Sequence, residues 1–359
     1  MPSEPATFDA QTARRAVRRG LWSVAALLGA IGLATAAIAR TDLGALHTQD
    51  LLQRARPIWL LVATAIMSLA FVFMSLRWRA LLPRDQKPPV MGLTAIILAG
   101  LLLNYALPGP VGELGAAWFA SRRYGVGTAR ALASGVTARA IGLATAALLG
   151  AIFWIIAPLE LPEGTGRAIG LAVAAIGLGG IALIALTLRP DVWIRLADEL
   201  ACRVNPQTAL GKVVHKVRDG VVSLASAAHQ VLHGGRGPLL EAAGWSILGH
   251  LTVTSGIAVA VFGLDATVNW LGLIFTYATT TAGAVVLFAF PGSQLGWDAL
   301  FATLLTTAAG LPQADAVAVS VLVRVQQLFY MVVGGGVVLW LVRGIRGTST
   351  EAEASDAPG

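Results

Sequence analysis

Residues 104–139 read NYALPGPVGELGAAWFASRRYGVGTARALASGVTAR, and this stretch decides the class of protein. A Pro-Gly-Pro sequence at 108–110 interrupts an apolar run, and Glu113 follows the break. Arg139 then lies inside another long apolar run. A lipid bilayer tolerates a broken helix and a buried charge mainly where the chain lines a protected or watery cavity. The stretch therefore predicts a polar cavity inside a membrane protein.

The composition of the chain predicts the same environment. Of the 359 residues, 56% are hydrophobic and 13% are charged, and the mean hydropathy is +0.72. Soluble domains are about 25% charged. Several apolar runs reach the roughly 20 residues that a helix needs to cross the hydrocarbon core, and they are too long for barrel strands. We predict an all-α polytopic membrane protein with about six full transmembrane helices, near residues 21–39, 58–76, 128–157, 168–188, 239–262 and 313–342.

The net charge of +7 fits loops at a membrane surface better than a nucleic-acid-binding protein. Basic residues mark cytoplasmic loops and contact anionic lipid headgroups. The chain has no aromatic and basic platform of the kind that binds single strands. Its five histidines show no metal-ligand spacing, no P-loop sequence occurs, and Cys202 is the only cysteine. We therefore expect no nucleic-acid partner, no cofactor and no intrachain disulfide.

The positions of lysine and arginine orient the chain. If residues 90–121 form a re-entrant helical hairpin that returns to its own side, 20 of the 26 basic residues share that side, four lie opposite and two lie within the membrane. The positive-inside tendency makes that side cytoplasmic, with both termini on it, in the inner or plasma membrane of the cell. The same count makes residues 268–309 a second re-entrant hairpin, which enters from the opposite face.

Five segments follow from this orientation. They are a basic cytoplasmic N-terminus (1–20), a first membrane half (21–188), a basic amphipathic cytoplasmic segment (189–238), a second membrane half (239–346) and a disordered tail (347–359).

The two membrane halves repeat one another in sequence. Hairpins that enter from opposite faces are typical of an inverted-topology repeat, which we predict here. Chance similarity between two alanine-rich helices is the alternative. The corresponding features are Pro108-Gly109 with Pro291-Gly292, Gly112 with Gly296, Gly125 with Gly310, and Arg139 with Arg324.

Arg139 and Arg324 are the candidate binding residues of the two halves. Each lies roughly 16–18 Å into its helix, near the middle of a core about 30 Å thick. An arginine at that depth is unfavourable by at least about 2.5–3.5 kcal/mol, so it must face water or a partner. One reading is a phosphate clamp, because the guanidinium fork suits two phosphate oxygens. The other is an ion pair with Glu113 or Asp298, and the two readings can hold in different conformations.

The residues around the two breaks complete the candidate site. Glu113 and Asp298 each begin a short helix, where a carboxylate either caps free N–H groups or acts as a protonatable coupling group. The N-termini of such helices also bind anions. The side-chain amides near the breaks either line the cavity or form hydrogen bonds between helices, and these amides are Asn104, Gln294, Gln326 and Gln327. For His250 we expect a hydrogen bond between helices. The substrate-binding residues predicted are Arg139, Arg324, Glu113, Asp298, Asn104, Gly109, Gly112, Gly292, Gly296 and Gln294, whereas Arg77, Trp78 and Arg79 look like an interfacial anchor.

A family resemblance rests on four stretches of the sequence. They are RWRALL at 77–82, N-x-x-L-P-G-x-x-G-E at 104–113, residues 125–139 and residues 291–324. Over roughly residues 20–345 the chain resembles the transmembrane region of lysylphosphatidylglycerol synthases, the flippase-like part of multiple peptide resistance factors, and its stand-alone relatives. An arginine that the resemblance leads us to expect soon after Gly-Glu is absent, because residues 114–118 are apolar.

The resemblance implies that the chain moves lipid between leaflets. Our leading hypothesis is a flippase or scramblase for a phosphate-bearing lipid, whether a phospholipid, an aminoacyl-phospholipid or a polyprenyl-phosphate-linked lipid. Full synthases also carry a soluble aminoacyl-transfer domain, and only a short tail follows residue 345, so we expect no enzyme activity. One alternative is a membrane scaffold that docks a cell-envelope enzyme through residues 189–236. A lipid-modifying enzyme ranks last, and His250 beside Glu113 would favour it.

Overall fold

A computed structural model describes residues 55–106, 111–157, 189–204, 207–287 and 293–355. These residues are almost entirely helical, and no strand occurs among them. A single 3-10 turn, Arg84–Gln86, lies in the linker after the first helix. The described residues form ten α-helices, which are α1 (Pro57–Ala80), α2 (Val90–Ala106), α3 (Val111–Tyr124), α4 (Thr128–Ile156), α5 (Pro190–Cys202), α6 (Ala209–Leu232), α7 (Arg236–Gly263), α8 (Trp270–Leu287), α9 (Ser293–Thr307) and α10 (Gln313–Ser355).

Four of these helices are long and apolar enough to cross a membrane. They are α1, α4, α7 and the part of α10 from Gln313 to Arg343. The predicted all-α membrane architecture is therefore confirmed. The predicted spans at 21–39 and 168–188 lie outside the described residues, as does the basic N-terminus at 1–20.

Helices α1 and α7 form a closely packed antiparallel pair. A Cβ on Gly256 of α7 would lie 2.2 Å from the Met67 side chain of α1. At one end of the pair Gly263 contacts Leu60, and at the other end Arg77 donates to Ser246, so the two helices run in opposite directions. Small residues at such contacts let two membrane helices approach closely, so that dispersion between their backbones holds them together. This pair brings the two membrane halves into contact.

Each of the two predicted hairpins is a pair of antiparallel helices. In the first, a Cβ on Gly112 of α3 would lie 2.2 Å from the carbonyl oxygen of Gly100 on α2. In the second, a Cβ on Gly272 of α8 would lie 1.9 Å from the carbonyl oxygen of Ala308, just after α9. Glycine is required at both contacts because any side chain would push the helices apart.

A left-handed glycine ends each hairpin and begins the following long helix. Gly125 precedes α4 with φ of +68°, and Gly310 precedes α10 with φ of +75°. Only glycine adopts this conformation without strain. The correspondence of these two glycines, predicted from the sequence, is therefore a correspondence of backbone geometry.

The two hairpins run in opposite directions. Helices α2 and α4 are both antiparallel to α3. They therefore run in the same direction. Helix α8 is antiparallel to α4, because Gly150 meets Thr279 and Trp154 meets Phe275. Helices α2 and α8 therefore point in opposite directions, as an inverted repeat requires. Each long helix packs on the other half's hairpin, since Gly334 of α10 also meets α2 at Leu98.

Two further parts of the chain are helical. The amphipathic segment forms α5 and α6, and α6 packs against α4 where Ala227 and Ala228 meet Ala133. The tail differs from expectation, because α10 continues to Ser355 where the sequence predicted disorder over 347–359. Its Glu-Ala-Glu-Ala stretch at 351–354 consists of strong helix formers, which explains the extension.

The glycine contacts give a direct test of the second hairpin. We expect Gly272→Ala to destabilise the protein by about 1–3 kcal/mol, because the neighbouring carbonyl is backbone and cannot rotate away. Gly244→Ala is the matched control, because Gly244 is exposed in the middle of α7 and nothing lies near its Cβ position. Thermal unfolding in detergent measures both variants. Equal melting temperatures for the two would contradict the close contact.

Candidate functional site

The first candidate cluster surrounds the start of α3. Glu113, in the first turn of that helix, forms an ion pair with Arg139 of α4. Asn104, near the end of α2, donates from Nδ2 to Oε1 of Glu113 at 3.3 Å. Its Oδ1 accepts from the backbone N–H of Gly112 at 2.8 Å. Four predicted site residues therefore meet in one place.

These contacts decide which group caps α3. The cap on Gly112 N–H comes from the Asn104 amide, so the Glu113 carboxylate is left for Arg139. Oε2 of Glu113 is buried and has no hydrogen-bond partner among the described residues. A buried acceptor of this kind can take up a proton or a hydrogen-bond donor. The N–H of Gly112 is therefore capped by Asn104 and not by Glu113.

The second cluster has the same design in the other half. Arg324 of α10 donates from Nε to Oδ1 of Asp298 on α9 at 2.6 Å. Its Nη1 also donates to Gln327, and its guanidinium lies 5.0 Å from the centre of the Trp297 ring. A fork held by a carboxylate and an aromatic face keeps a defined orientation.

The two ion pairs correspond position by position. Glu113 and Asp298 lie in the second helix of their hairpins, and each arginine follows its carboxylate by 26 residues in the long helix after it. Their exposure differs, because the side chain of Arg139 is 46% exposed and that of Arg324 is 16% exposed. Of the two readings from the sequence, this conformation contains the ion pair in both halves.

The remaining predicted site residues fall at or beyond the described boundaries. Gly109 and Gly292 lie outside the described residues. Gln294 and Gly296 lie in the first turns of α9, and the surroundings of their side chains lie outside the described part.

The interfacial anchor expected at residues 77–79 is wrong for Trp78 and Arg77. The Trp78 side chain is buried at 4% exposure and donates from Nε1 to Oγ of Ser134 at 2.9 Å. Arg77 donates from Nη1 to Oγ of Ser246 at 3.1 Å, and its Nε is buried. A local Arg-Trp-Arg pattern is typical of a membrane interface, but packing of α1 against α4 and α7 decides where these side chains point.

His250 confirms the expected hydrogen bond between helices. Its Nε2 lies 2.8 Å from the carbonyl oxygen of Gly142 on α4, which requires the proton on that nitrogen. Ser246 lies one turn earlier on α7 and meets Thr145 of α4 at 2.7 Å between hydroxyl oxygens. These polar contacts join the first half's long helix to the second half's first helix.

A related polar set joins α10 to α1. Gln326 donates to Oγ1 of Thr64 at 2.8 Å, so this amide bridges helices. Tyr330 donates to the Thr64 carbonyl at 3.0 Å and meets Ser68 at 3.1 Å. Tyr330 follows Arg324 by six residues, as Thr145 follows Arg139. The signal in the sequence was a pair of polar residues one turn apart within each apolar span, at 64 and 68 and at 246 and 250.

A double-mutant cycle tests the second ion pair. We expect Asp298→Asn and Arg324→Gln each to destabilise the protein, and the double variant to recover about 1–3 kcal/mol relative to the sum, because one change alone leaves a charge without its partner. The control cycle is Arg56→Gln with Asp265→Asn. These two side chains are half-exposed, and Nη2 of Arg56 lies 2.8 Å from Oδ1 of Asp265. Its coupling should be about 0–1 kcal/mol. Chemical unfolding measures both cycles, and equal couplings would show that partial burial adds nothing to the Arg324 pair.

Comparison with known proteins agrees with this architecture. The family model described as "Lysylphosphatidylglycerol synthase TM region" matches residues 21–335. Searches of curated proteins and of solved structures found no match. The match covers both ion pairs, both hairpins and the α5–α6 segment, and such a membrane domain is associated with lipids. The chain is therefore a multi-pass membrane protein that belongs to the lysylphosphatidylglycerol synthase transmembrane-region family.

Proposed function

We propose that this protein moves a phosphate-bearing lipid between the two leaflets, as a flippase or scramblase. The observation that carries the proposal is the equivalence of the two carboxylate–arginine pairs, which lie in halves of opposite direction. A site built twice in opposite orientations can present the same chemistry to either leaflet. The lipid class is a phospholipid, an aminoacyl-phospholipid or a polyprenyl-phosphate-linked lipid.

Ligand exchange at the arginines would be the central step. A phosphate offers the guanidinium fork two oxygens, as a carboxylate does. The headgroup can therefore displace Glu113 from Arg139, or Asp298 from Arg324, without leaving the arginine unpaired. The released carboxylate would take up a proton or a donor from the headgroup. In the first half, the unpaired Oε2 of Glu113 is already placed for that.

The unequal exposure of the two arginines supports alternating use of the two halves. Arg139 is about half-exposed, whereas Arg324 is largely covered by Asp298, Gln327 and Trp297. In this conformation a headgroup would reach the first pair more readily than the second. The opposite conformation would reverse the two exposures.

Localisation and activity complete the proposal. The protein would lie in the inner or plasma membrane of the cell with both termini cytoplasmic, as its basic residues favour. Its work would be transport of the lipid, with no bond made or broken in it.

A leaflet-exchange assay tests the function. Purified protein is placed in liposomes that contain fluorescent phospholipids or polyprenyl phosphates, and dithionite destroys the dye in the outer leaflet. Wild type should make the inner-leaflet dye accessible, and Arg139→Ala with Arg324→Ala should slow exchange by about tenfold or more, because a charged hydrogen bond of about 1.5–3 kcal/mol is lost at each site. Arg56→Ala is the control, because Arg56 pairs with Asp265 away from both clusters. Wild-type rates equal to those of the double variant, for every lipid tried, would reject transport.

A charge swap separates phosphate binding from simple ion pairing. Asp298→Arg with Arg324→Asp keeps a pair between α9 and α10 but moves the cation to the other helix. We expect this variant to recover much of the stability lost in either single variant and to remain slow in lipid exchange. Full recovery of exchange would mean that Arg324 serves only the fold.

A scaffold function is the second candidate, and one observation favours it. On α5, Leu196 and Leu200 lie one turn apart and are both exposed. They give the basic segment at 189–236 an apolar patch that a cell-envelope enzyme would cover. In a pull-down, Leu196→Ser with Leu200→Ser should release such an enzyme and leave lipid exchange unchanged. Loss of exchange together with the enzyme would favour a membrane contact instead.

A further inference from the structure

The guanidinium of Arg77 lies in the interior of the helix bundle, and no carboxylate among the described residues pairs with it. Its Nη1 donates to the neutral hydroxyl of Ser246 at 3.1 Å. Its Nε is buried and has no hydrogen-bond partner among the described residues, and no Asp or Glu of that part of the chain pairs with it. A cation in a bilayer interior requires an anion or water. Arg77 therefore differs from Arg139 and Arg324, which both hold carboxylates.

The position of Arg77 links it to the first candidate cluster. A Cβ on Gly142 of α4 would lie 2.3 Å from Nη1 and 3.0 Å from Cζ of Arg77, so the guanidinium rests on the α4 backbone. Gly142 lies one turn after Arg139 on α4, so Arg77 contacts α4 one helical turn from Arg139. Glu113 pairs with Arg139, so among the described residues this group holds two arginines and one carboxylate that is already paired.

The other groups around Arg77 are neutral and polar. The hydroxyls of Ser246 and Thr145 lie 2.7 Å apart, and His250 Nε2 is within 3.5 Å of Ser246. The Thr145 hydroxyl donates to carbonyl oxygens of its own helix. The Ser246 hydroxyl can turn away from Thr145 to donate to an incoming oxygen. Because these residues lie on α4 and α7, an anion bound here would contact both membrane halves.

We infer that Arg77 is a phosphate-binding residue that acts with Arg139 on the lipid headgroup. The ligand class is a phosphate ester with at least two free oxygens, which would engage the unpartnered Nε of Arg77 and the fork of Arg139. This inference rests on the proposed function and adds a third arginine to it. The competing explanation is that Arg77 only holds α1, α4 and α7 together.

A pair of lipids that differ only in phosphate tests the inference. Dioleoylphosphatidic acid and dioleoylglycerol have the same chains, and their binding to the purified full chain is measured by native mass spectrometry and by the thermal shift in detergent. Arg77→Gln should weaken the binding of dioleoylphosphatidic acid by about tenfold to hundredfold and leave that of dioleoylglycerol unchanged. Arg77→Lys should fall between, because it keeps the charge and loses the fork. Inorganic phosphate is a third probe: equal protection by it would assign the site to free phosphate rather than to a lipid, and would overturn the inference as stated.

Arg79→Gln is the matched control. Arg79 lies two residues later on α1 and donates from Nε to the Pro88 carbonyl at 3.0 Å. Its removal should not change the binding of either lipid. If Arg77→Gln binds both lipids like the wild type, or loses both equally, the structural explanation stands and the inference is wrong.

A measurement on the wild type covers variants that do not fold. Phenylglyoxal modifies accessible guanidinium groups, and mass spectrometry reports the extent at Arg77. Dioleoylphosphatidic acid should reduce that modification severalfold, and dioleoylglycerol should not. Equal modification with both lipids, or none with either, would overturn the inference.

The proposed function fails separately. Loss of lipid exchange in the Arg139 and Arg324 variant, with normal exchange and binding in Arg77→Gln, would leave transport intact and remove Arg77 from it. Absence of lipid exchange in the wild type, with phosphate-dependent binding at Arg77, would reject transport and leave Arg77 as a phosphate-binding residue.

Discussion

The structure depends on the rule that a charge inside a bilayer must have a partner. Arg139 and Arg324 occupy positions where an unpaired guanidinium is strongly unfavourable, and each is held by a carboxylate on the adjacent short helix. This constraint ties each hairpin to its long helix. At the start of α3, Asn104 caps the N–H of Gly112, which leaves the Glu113 carboxylate for Arg139.

Close backbone contacts make this pairing possible. Gly112 lies against Gly100 in the first hairpin, and Gly272 lies against Ala308 in the second. Each contact sets the distance between the two helices of a hairpin and, through it, the height of the carboxylate relative to the long helix. The hairpins in turn pack on the long helix of the opposite half. The packing therefore gives each half a direct contact through which movement of one half would reach the other.

Much of the architecture could be predicted from the sequence because its signals are local or periodic. Apolar length predicted the long helices, and the Pro-Gly breaks together with the positions of the basic residues predicted the two hairpins. The carboxylate–arginine pairing was one of two readings, because spacing along a chain cannot say which groups meet. Arg77 and Trp78 were misread for the same reason: their burial comes from α4 and α7, more than 50 residues away.

An arginine that already holds a carboxylate suits lipid transport better than an empty one. Under the proposed function, phosphate replaces carboxylate at the same guanidinium fork, so the arginine has a partner throughout the cycle. The free-energy cost of removing the guanidinium from water then arises only once, during folding. The exchange is close to balanced because both ligands offer two oxygens to the same donors. Balance matters, since a headgroup held too tightly would not leave at the other leaflet. A neighbouring cation such as Arg77, which pairs with no carboxylate in the described part of the chain, would then favour the phosphate over the returning carboxylate while the headgroup is bound.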